Sequence, residues 1–273
     1  MSIPTASVPA RWVLGLLIVS TCLALIGRGL HLVIHAPIHL PPMLAWSVAI
    51  AAWLAAAVFV MAWWRASWPP LLLTATVVST AILGWFGFVS WSKDPLQAHV
   101  FLKFASQIMT PLLTWWCLRG QLPTVKWIGL VVLACTFAGH GFLDVGIPKV
   151  PAEYLETTQK VLGVEQSAAR SFLMAAGIGD FLVSILCWWG LTRQPALVAM
   201  VAWGFATNFA RVVAYGQCGM FMWAEPWFFE SLARLPHGLI PLALCLLWLK
   251  PQSTSSGTPA VTGPPIGLPA SLR

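Results

Sequence analysis

Charge is scarce in this chain. Asp, Glu, Lys and Arg make up 8% of its 273 residues, against about a quarter in an average soluble domain. So few charges cannot cover a water-facing surface, which excludes a soluble globular fold. The charges present lean one way, 15 basic to 8 acidic, for a net +7. No basic run and no basic patch interleaved with aromatics accompanies that excess, so nothing points to nucleic acid as a partner. The cysteines Cys22, Cys117, Cys135, Cys187, Cys218 and Cys245 include no CxxC pair. Five lie in apolar runs, where Cys behaves as a small hydrophobe, and Cys218 falls in a loop, so no disulfide framework follows. Walker loop, dinucleotide fingerprint, HExxH and nucleophile elbow are all missing.

What fills the chain is hydrophobic sequence, 59% of it. The apolar runs are about twenty residues long, the length of a spanning helix. Barrel strands would alternate in segments of roughly ten. The partner implied is the lipid bilayer, and the fold expected is an all-α, polytopic membrane helical bundle. Eight spans are read, over 12–34, 43–64, 70–91, 97–118, 125–147, 170–191, 196–216 and 227–249. They form one transmembrane domain over 1–250. Most of the 17 tryptophans flank these runs, as interface belts do. The first span is not read as a signal peptide, because Arg11 is its only flanking charge and no clean small-x-small site follows. Residues 251–273, rich in Pro, Ser, Thr and Gly, read as a disordered tail.

Loop charge sets the expected orientation. With the N-terminus cytoplasmic, the inner segments carry Arg11, Arg65, Arg119, Lys126, Arg193, Lys250 and Arg273 and no acid. The outer loops carry Lys93, Lys149, Lys160 and Arg170, offset by Asp94, Glu153, Glu156, Glu165 and Glu225. Both termini are therefore expected in the cytoplasm, in a cell membrane of the bacterial inner-membrane type. In the longest loop, 148–169, Tyr154, Leu155, Val161 and Leu162 recur near helical spacing. A short amphipathic helix on the outer face is expected there.

A faint repeat divides the domain into halves, 11–120 and 125–250. Gly27-Arg28-Gly29 matches Gly139-His140-Gly141, Trp63-Trp64 matches Trp188-Trp189, and Pro111-Leu112-Leu113 resembles Pro241-Leu242-Ala243. A four-helix unit repeats in parallel, without inversion.

Ionisable residues inside spans are expensive and are functional candidates. At about 1.5 Å per residue, Asp180 and His237 lie near the midplane. Arg28, Lys103, His140 and Arg234 lie about two turns below the outer surface, and Glu230, Asp144, His99 and Arg211 about one turn. None falls in the inner half. The sorting implies a polar cavity open to the outer side. A central Asp costs about 2.5–3.5 kcal/mol and each Leu, Ile, Phe or Val returns about 0.3–0.6, so the sixth span inserts by a margin of only about 1–2 kcal/mol. Asp180 is therefore expected to face the bundle, paired with His237 or Arg234, with Arg211 also in reach. His140 and Asp144, four apart on one helix, can satisfy each other. His31, His35 and His39 are spaced by four, but Pro37 interrupts the face and no Cys or carboxylate is near, so no metal is assigned. A bis-histidine haem on His140 and His237 lacks any attachment signal and is set aside. Gly177-Ile178-Gly179 reads as close helix packing rather than a phosphate loop.

Residues 137–210 resemble the DoxX-like membrane proteins. The family pattern F-x-x-x-G-x-x-K is similar to Phe142 through Lys149, with Phe142, Gly146 and Lys149 in the matching places. An L-G-hydrophobic element follows as Leu162-Gly163-Val164. A helix of the form G-x-x-E/D then matches Gly177-Ile178-Gly179-Asp180, with Asp in place of the usual Glu, and Gly190-Leu191-Thr192-Arg193 matches the basic turn. The resemblance implies a four-helix bundle. For some relatives it implies a membrane subunit of a quinone-linked oxidoreductase, with redox partner subunits.

The leading functional expectation is thus a ligand-binding, redox-associated membrane protein whose outer cavity holds a quinone-like or small anionic compound. Arg28, Lys103, Arg211 and Arg234 would supply positive potential, and Asp180, His140 and His237 would move protons. The alternatives are a proton-coupled transporter of a small anion or lipid headgroup, and a non-catalytic accessory or assembly subunit. Enzyme activity is left open.

Overall fold

The computed structural model describes residues 8–35, 40–64, 69–92, 98–216 and 226–249. His39, Cys218 and the tail 251–273 lie outside the described residues. Among the described residues the chain is helical and has no strand. The helices are α1 (Val8–Ile34), α2 (Pro42–Trp64), α3 (Pro69–Ser92), α4 (Ala98–Leu102), α5 (Ala105–Leu118), α6 (Leu122–Val145), α7 (Ala152–Leu162), α8 (Gln166–Leu186), α9 (Arg193–Tyr215), α10 (Pro226–Arg234) and α11 (Pro236–Trp248). Seven segments are long and apolar enough to cross a membrane: α1, α2, α3, α6, α8, α9, and α10 with α11 taken together. This is a polytopic all-α membrane bundle. Large side chains such as Leu54, Val77, Leu182, Val198 and Val213 face outward, as lipid-contacting residues do.

The fourth expected span, 97–118, is not one helix. It divides into α4 and α5 at Lys103 and Phe104, where the bonding tightens to Phe104 N–H on Phe101 O. Alone, the 14 residues of α5 reach about 21 Å, short of a bilayer core of about 30 Å. The eighth span breaks in the same way, between α10 and α11. Pro236 opens α11 and has no N–H to offer the preceding turn.

The halves repeat. α1, α2, α3 and α4–α5 correspond to α6, α8, α9 and α10–α11. Within each half the first helix packs on the second, and the third packs on the broken fourth. Between halves, α1 packs on α10 and α11 just as α6 packs on α4 and α5. The matched glycines sit at these crossings. A Cβ on Gly27 would meet Phe229 O and Ala233 N of α10, and one on Gly139 would meet Lys103 N and His99 O at the end of α4. The Gly177-Ile178-Gly179 segment divides. Gly177 abuts the backbone of Gly141, while Gly179 has open space beside it.

The end of α6 explains part of its sequence. Gly146 adopts φ 83°, its N–H bonds Leu143 O, and Ile147 N–H bonds Phe142 O. That is a Schellman cap, which requires glycine at this place. Gly163, at φ 64°, ends α7 in the left-handed region too.

α7 is present where an amphipathic helix was expected, but its buried side is not apolar. Thr157 and Thr158 are buried, Tyr154 is half-buried, and Leu162 is exposed. The helix packs on α8 and α9.

Candidate functional site

A cavity of about 280 Å³ lies within the second half. α6 supplies Phe137, His140 and Asp144, and α8 supplies Phe172, Leu173 and Asp180. α9 contributes Trp203, Gly204, Thr207, Asn208 and Arg211, while Arg234 and His237 come from α10 and α11. Tyr154, Thr157, Thr158 and Val161 of α7 close one end. The walls are mainly apolar, with a few polar groups converging, as in small-molecule sites.

Six of the nine residues singled out from sequence meet here: Asp144, Asp180, His140, His237, Arg211 and Arg234. Arg28, Lys103 and Glu230 do not line it. Arg28 cannot offer its charge to a ligand in this cavity, because Nη1 lies 2.6 Å from Glu230 Oε2 and Nη2 donates to Gln107 Oε1 at 2.8 Å. Its guanidinium also stacks over Phe86 and Phe104. Lys103, at the α4–α5 break, lies over Phe104 and Tyr154. Glu230 bridges the two arginines, since Arg234 Nε donates to its Oε1 at 2.8 Å. Arg234 therefore belongs both to this buried charge cluster and to the cavity wall.

The expected pairing of Asp180 is corrected. No hydrogen bond or ion pair joins it to His237 or Arg234. It is buried at 2% exposure, against the Trp203 indole and near enough to Asp144 for their charges to interact. His140 and Asp144 are not bonded to each other either. His140 looks the other way, to His237.

A chain of side-chain contacts crosses four helices. Ser106 Oγ lies 3.3 Å from His237 Nδ1, His237 Nε2 lies 3.2 Å from His140 Nε2, and His140 Nδ1 lies 3.3 Å from the Tyr154 hydroxyl. In a neutral imidazole one nitrogen donates and the other accepts. All links of this chain can therefore point one way or all the other, and the two states differ by a proton moved along it. Two opposed metal–nitrogen bonds need about 4 Å between the nitrogens; the direct contact gives the two rings a partner in each other. Among the described residues no group of three or more His, Cys, Asp or Glu is placed to hold a metal ion.

The two halves place comparable pairs at comparable points. One turn before Pro111 is Gln107, and one turn before Pro241 is His237. Arg28 and His140 occupy the matched Gly-x-Gly positions. Arg28 bonds Gln107 as His140 bonds His237.

Sequence reading missed the uncharged polar groups. Asn208 is 5% exposed, lines the cavity, and its Oδ1 has no partner. An amide buried without a partner costs roughly 1–3 kcal/mol, so a ligand or water is the natural partner. Glu153 was read as a loop charge, yet it holds Arg211 Nη2 at 2.7 Å. Burial acts against its charge, but Arg211 and Arg234, with the Arg211 hydrogen bond, outweigh that and hold its carboxyl below the usual range. Burial pushes the Tyr154 phenol up from its ordinary value, so it remains a donor. Buried hydroxyls also continue beyond the ionisable groups. Thr110 and Thr114 of α5 face Ser20 and Thr21 of α1, with Thr21 and Thr114 bonded at 2.8 Å. Each threonine of α5 also donates to the carbonyl one turn earlier.

No family model, curated protein or solved structure matches this chain.

Proposed function

We propose that this membrane protein binds a quinone-like compound in the second-half cavity, as a DoxX-like, redox-associated subunit. The observation that carries the reading is a mainly apolar cavity on which polar side chains of several helices converge: Asn208, whose Oδ1 is buried without a partner, Arg211, the His140–Tyr154 pair and Asp180. A ring with oxygen at two ends suits that lining. Arg211 and Tyr154 donate to a carbonyl oxygen, and Asn208 Oδ1 or Asp180 accepts from a hydroxyl. The apolar walls hold the ring itself. Reducing such a ring takes up two electrons and two protons. The electrons would come from a partner redox subunit, and the chain from Ser106 to Tyr154 would move protons at the cavity wall. The orientation read from loop charge puts the cavity in the outer half of the membrane.

Gently extracted protein, analysed by native mass spectrometry, is expected to retain a quinone, and Asn208→Leu to lose it. Protein that retains none, and binds none when offered, contradicts the reading.

A proton-coupled transporter is the second reading. It is favoured by the buried hydroxyls of α1 and α5, which extend polar groups into the half without ionisable residues. It requires solute uptake into proteoliposomes that follows an imposed pH gradient and fails in Asp180→Asn.

A further inference from the structure

The two halves differ where the cavity lies. In the first half, α2 and α3 pack closely; their counterparts α8 and α9 touch at few points. The cavity occupies the gap. α7 has no counterpart in the first half and packs on both α8 and α9. It covers the end of the gap nearest the loops. Its ties to α9 include the Arg211–Glu153 ion pair, at 2.7 Å, the contact of Thr157 Oγ1 with the Tyr215 hydroxyl, at 3.4 Å, and Lys160 Nζ over the Tyr215 ring, at 4.3 Å.

The side of the gap is closed differently. Three lining residues are exposed: Leu162 of α7 at 45%, Phe172 of α8 at 40%, and Ala206 of α9, the last two beside the α8–α9 gap. The Phe172 ring on α8 meets the Trp203 ring on α9 at 6.2 Å between centroids. Elsewhere on the same two helices Ile178, Leu182, Val198 and Phe209 are exposed and apolar, so the outward faces of α8 and α9 suit lipid. The exposed Phe172 ring can swing away from Trp203 by its own rotation, leaving the Trp203 indole against Asp180. Lifting α7 requires breaking a partly buried ion pair. The route from the bilayer is therefore the easier one.

We infer that the ligand of this cavity is a membrane-dissolved compound carrying an apolar tail, and that it enters sideways from lipid through the slot between α8 and α9. This rests on the ligand-binding reading above. The head reaches Asn208 and Arg211 while the tail lies in the slot past Phe172 and Ala206, still in hydrocarbon.

The test uses the full chain in lipid nanodiscs and two probes, 2,3-dimethoxy-5-methyl-1,4-benzoquinone with and without a decyl tail. Association is followed by stopped-flow quenching of tryptophan fluorescence. Ala206→Phe, which narrows the slot, is expected to slow the tailed probe tenfold or more. Phe172→Ala, which widens it, is expected to speed that probe. Glu153→Gln, which loosens α7, is expected to leave its rate within twofold. Faster association of both probes in Glu153→Gln, with no change in Ala206→Phe or Phe172→Ala, places access under α7 and overturns the inference. Equal affinity for both probes overturns the tailed ligand while leaving the ligand-binding reading intact. No binding of either probe to the wild-type protein removes that reading and this inference with it.

Discussion

The Nε2 atoms of His140 and His237 lie 3.2 Å apart, one on α6 and the other on α11. Each ring spends its remaining nitrogen on a hydroxyl, Tyr154 or Ser106. Replacing one ring strands the other. His140→Phe is expected to destabilise by about 1–3 kcal/mol, the cost of an unpaired buried group. In a double-mutant cycle with His237→Leu the coupling should be about 0.5–3 kcal/mol. Unfolding in mixed detergent measures both, and strict additivity would show that the contact carries no energy.

Glu230 of α10 links the halves through Arg28 of α1 and also holds Arg234 on its own helix. Removing one partner of a buried ionic cluster leaves charge uncompensated, at about 3–5 kcal/mol. Glu230→Gln is expected to lose that much stability, and Glu230→Gln with Arg28→Gln to recover part of it. A Tm for the single variant equal to wild type would contradict the arrangement.

Glycines at the helix crossings divide into two kinds. A methyl group on Gly139 would run into backbone atoms of Lys103 and His99, which cannot move aside. Gly139→Ala is expected to cost about 1–3 kcal/mol, the range for overpacking. Nothing lies within 4 Å of a Cβ on Gly179. Gly179→Ala is expected to be neutral, or to stabilise by up to about 1 kcal/mol through helix propensity. Comparing the two thermal midpoints checks the close crossing of α6 on the end of α4 against the open side of α8 at Gly179.

The pH response of α7 follows from Glu153. Its carboxyl sits below the ordinary value of about 4.3. A depressed carboxyl stabilises the folded state fully above that ordinary value, and the contribution disappears as pH falls through the lower, folded-state value. Exchange protection of the Ala152–Leu162 amides, corrected for intrinsic rate, is expected to fall across that acid window. Glu153→Gln should start lower and show no such fall. An identical acid response in the variant would assign it to another group.

The spans were legible because hydropathy averages over twenty residues and tolerates local defects. The same averaging hid the breaks at Lys103–Phe104 and Leu235, which depend on what packs beside them. Gly27-Arg28-Gly29 and Gly139-His140-Gly141 stood out as alike, and Gly27 and Gly139 both sit where a second helix backbone comes too close for a side chain. Two fragments of the DoxX-like pattern, Phe142 through Gly146 and Leu162-Gly163, coincide with left-handed helix caps, a local cause that acts in any family. Ionisable residues stood out against apolar sequence, so Asp180, His140, Arg211 and Arg234 were found. Their pairing was not legible: Asp180 and His237 share a depth, but rotation about each helix axis decides who meets whom. Asn208, Ser106 and Thr157 were missed because a single uncharged polar residue barely moves the local hydropathy and commonly bonds its own helix.

The central claim is that the α6–α11 cavity beneath α7 receives a ring-sized lipophilic compound. Photolabelling in native membranes with an azido-benzoquinone carrying a decyl tail, followed by peptide mapping, addresses it directly. Modification is expected at cavity residues of α7, α8 and α9, Phe172, Trp203 and Asn208 among them, and is expected to be competed by the unlabelled quinone. Label spread over lipid-facing positions of α2 and α3, insensitive to competitor, would contradict the account.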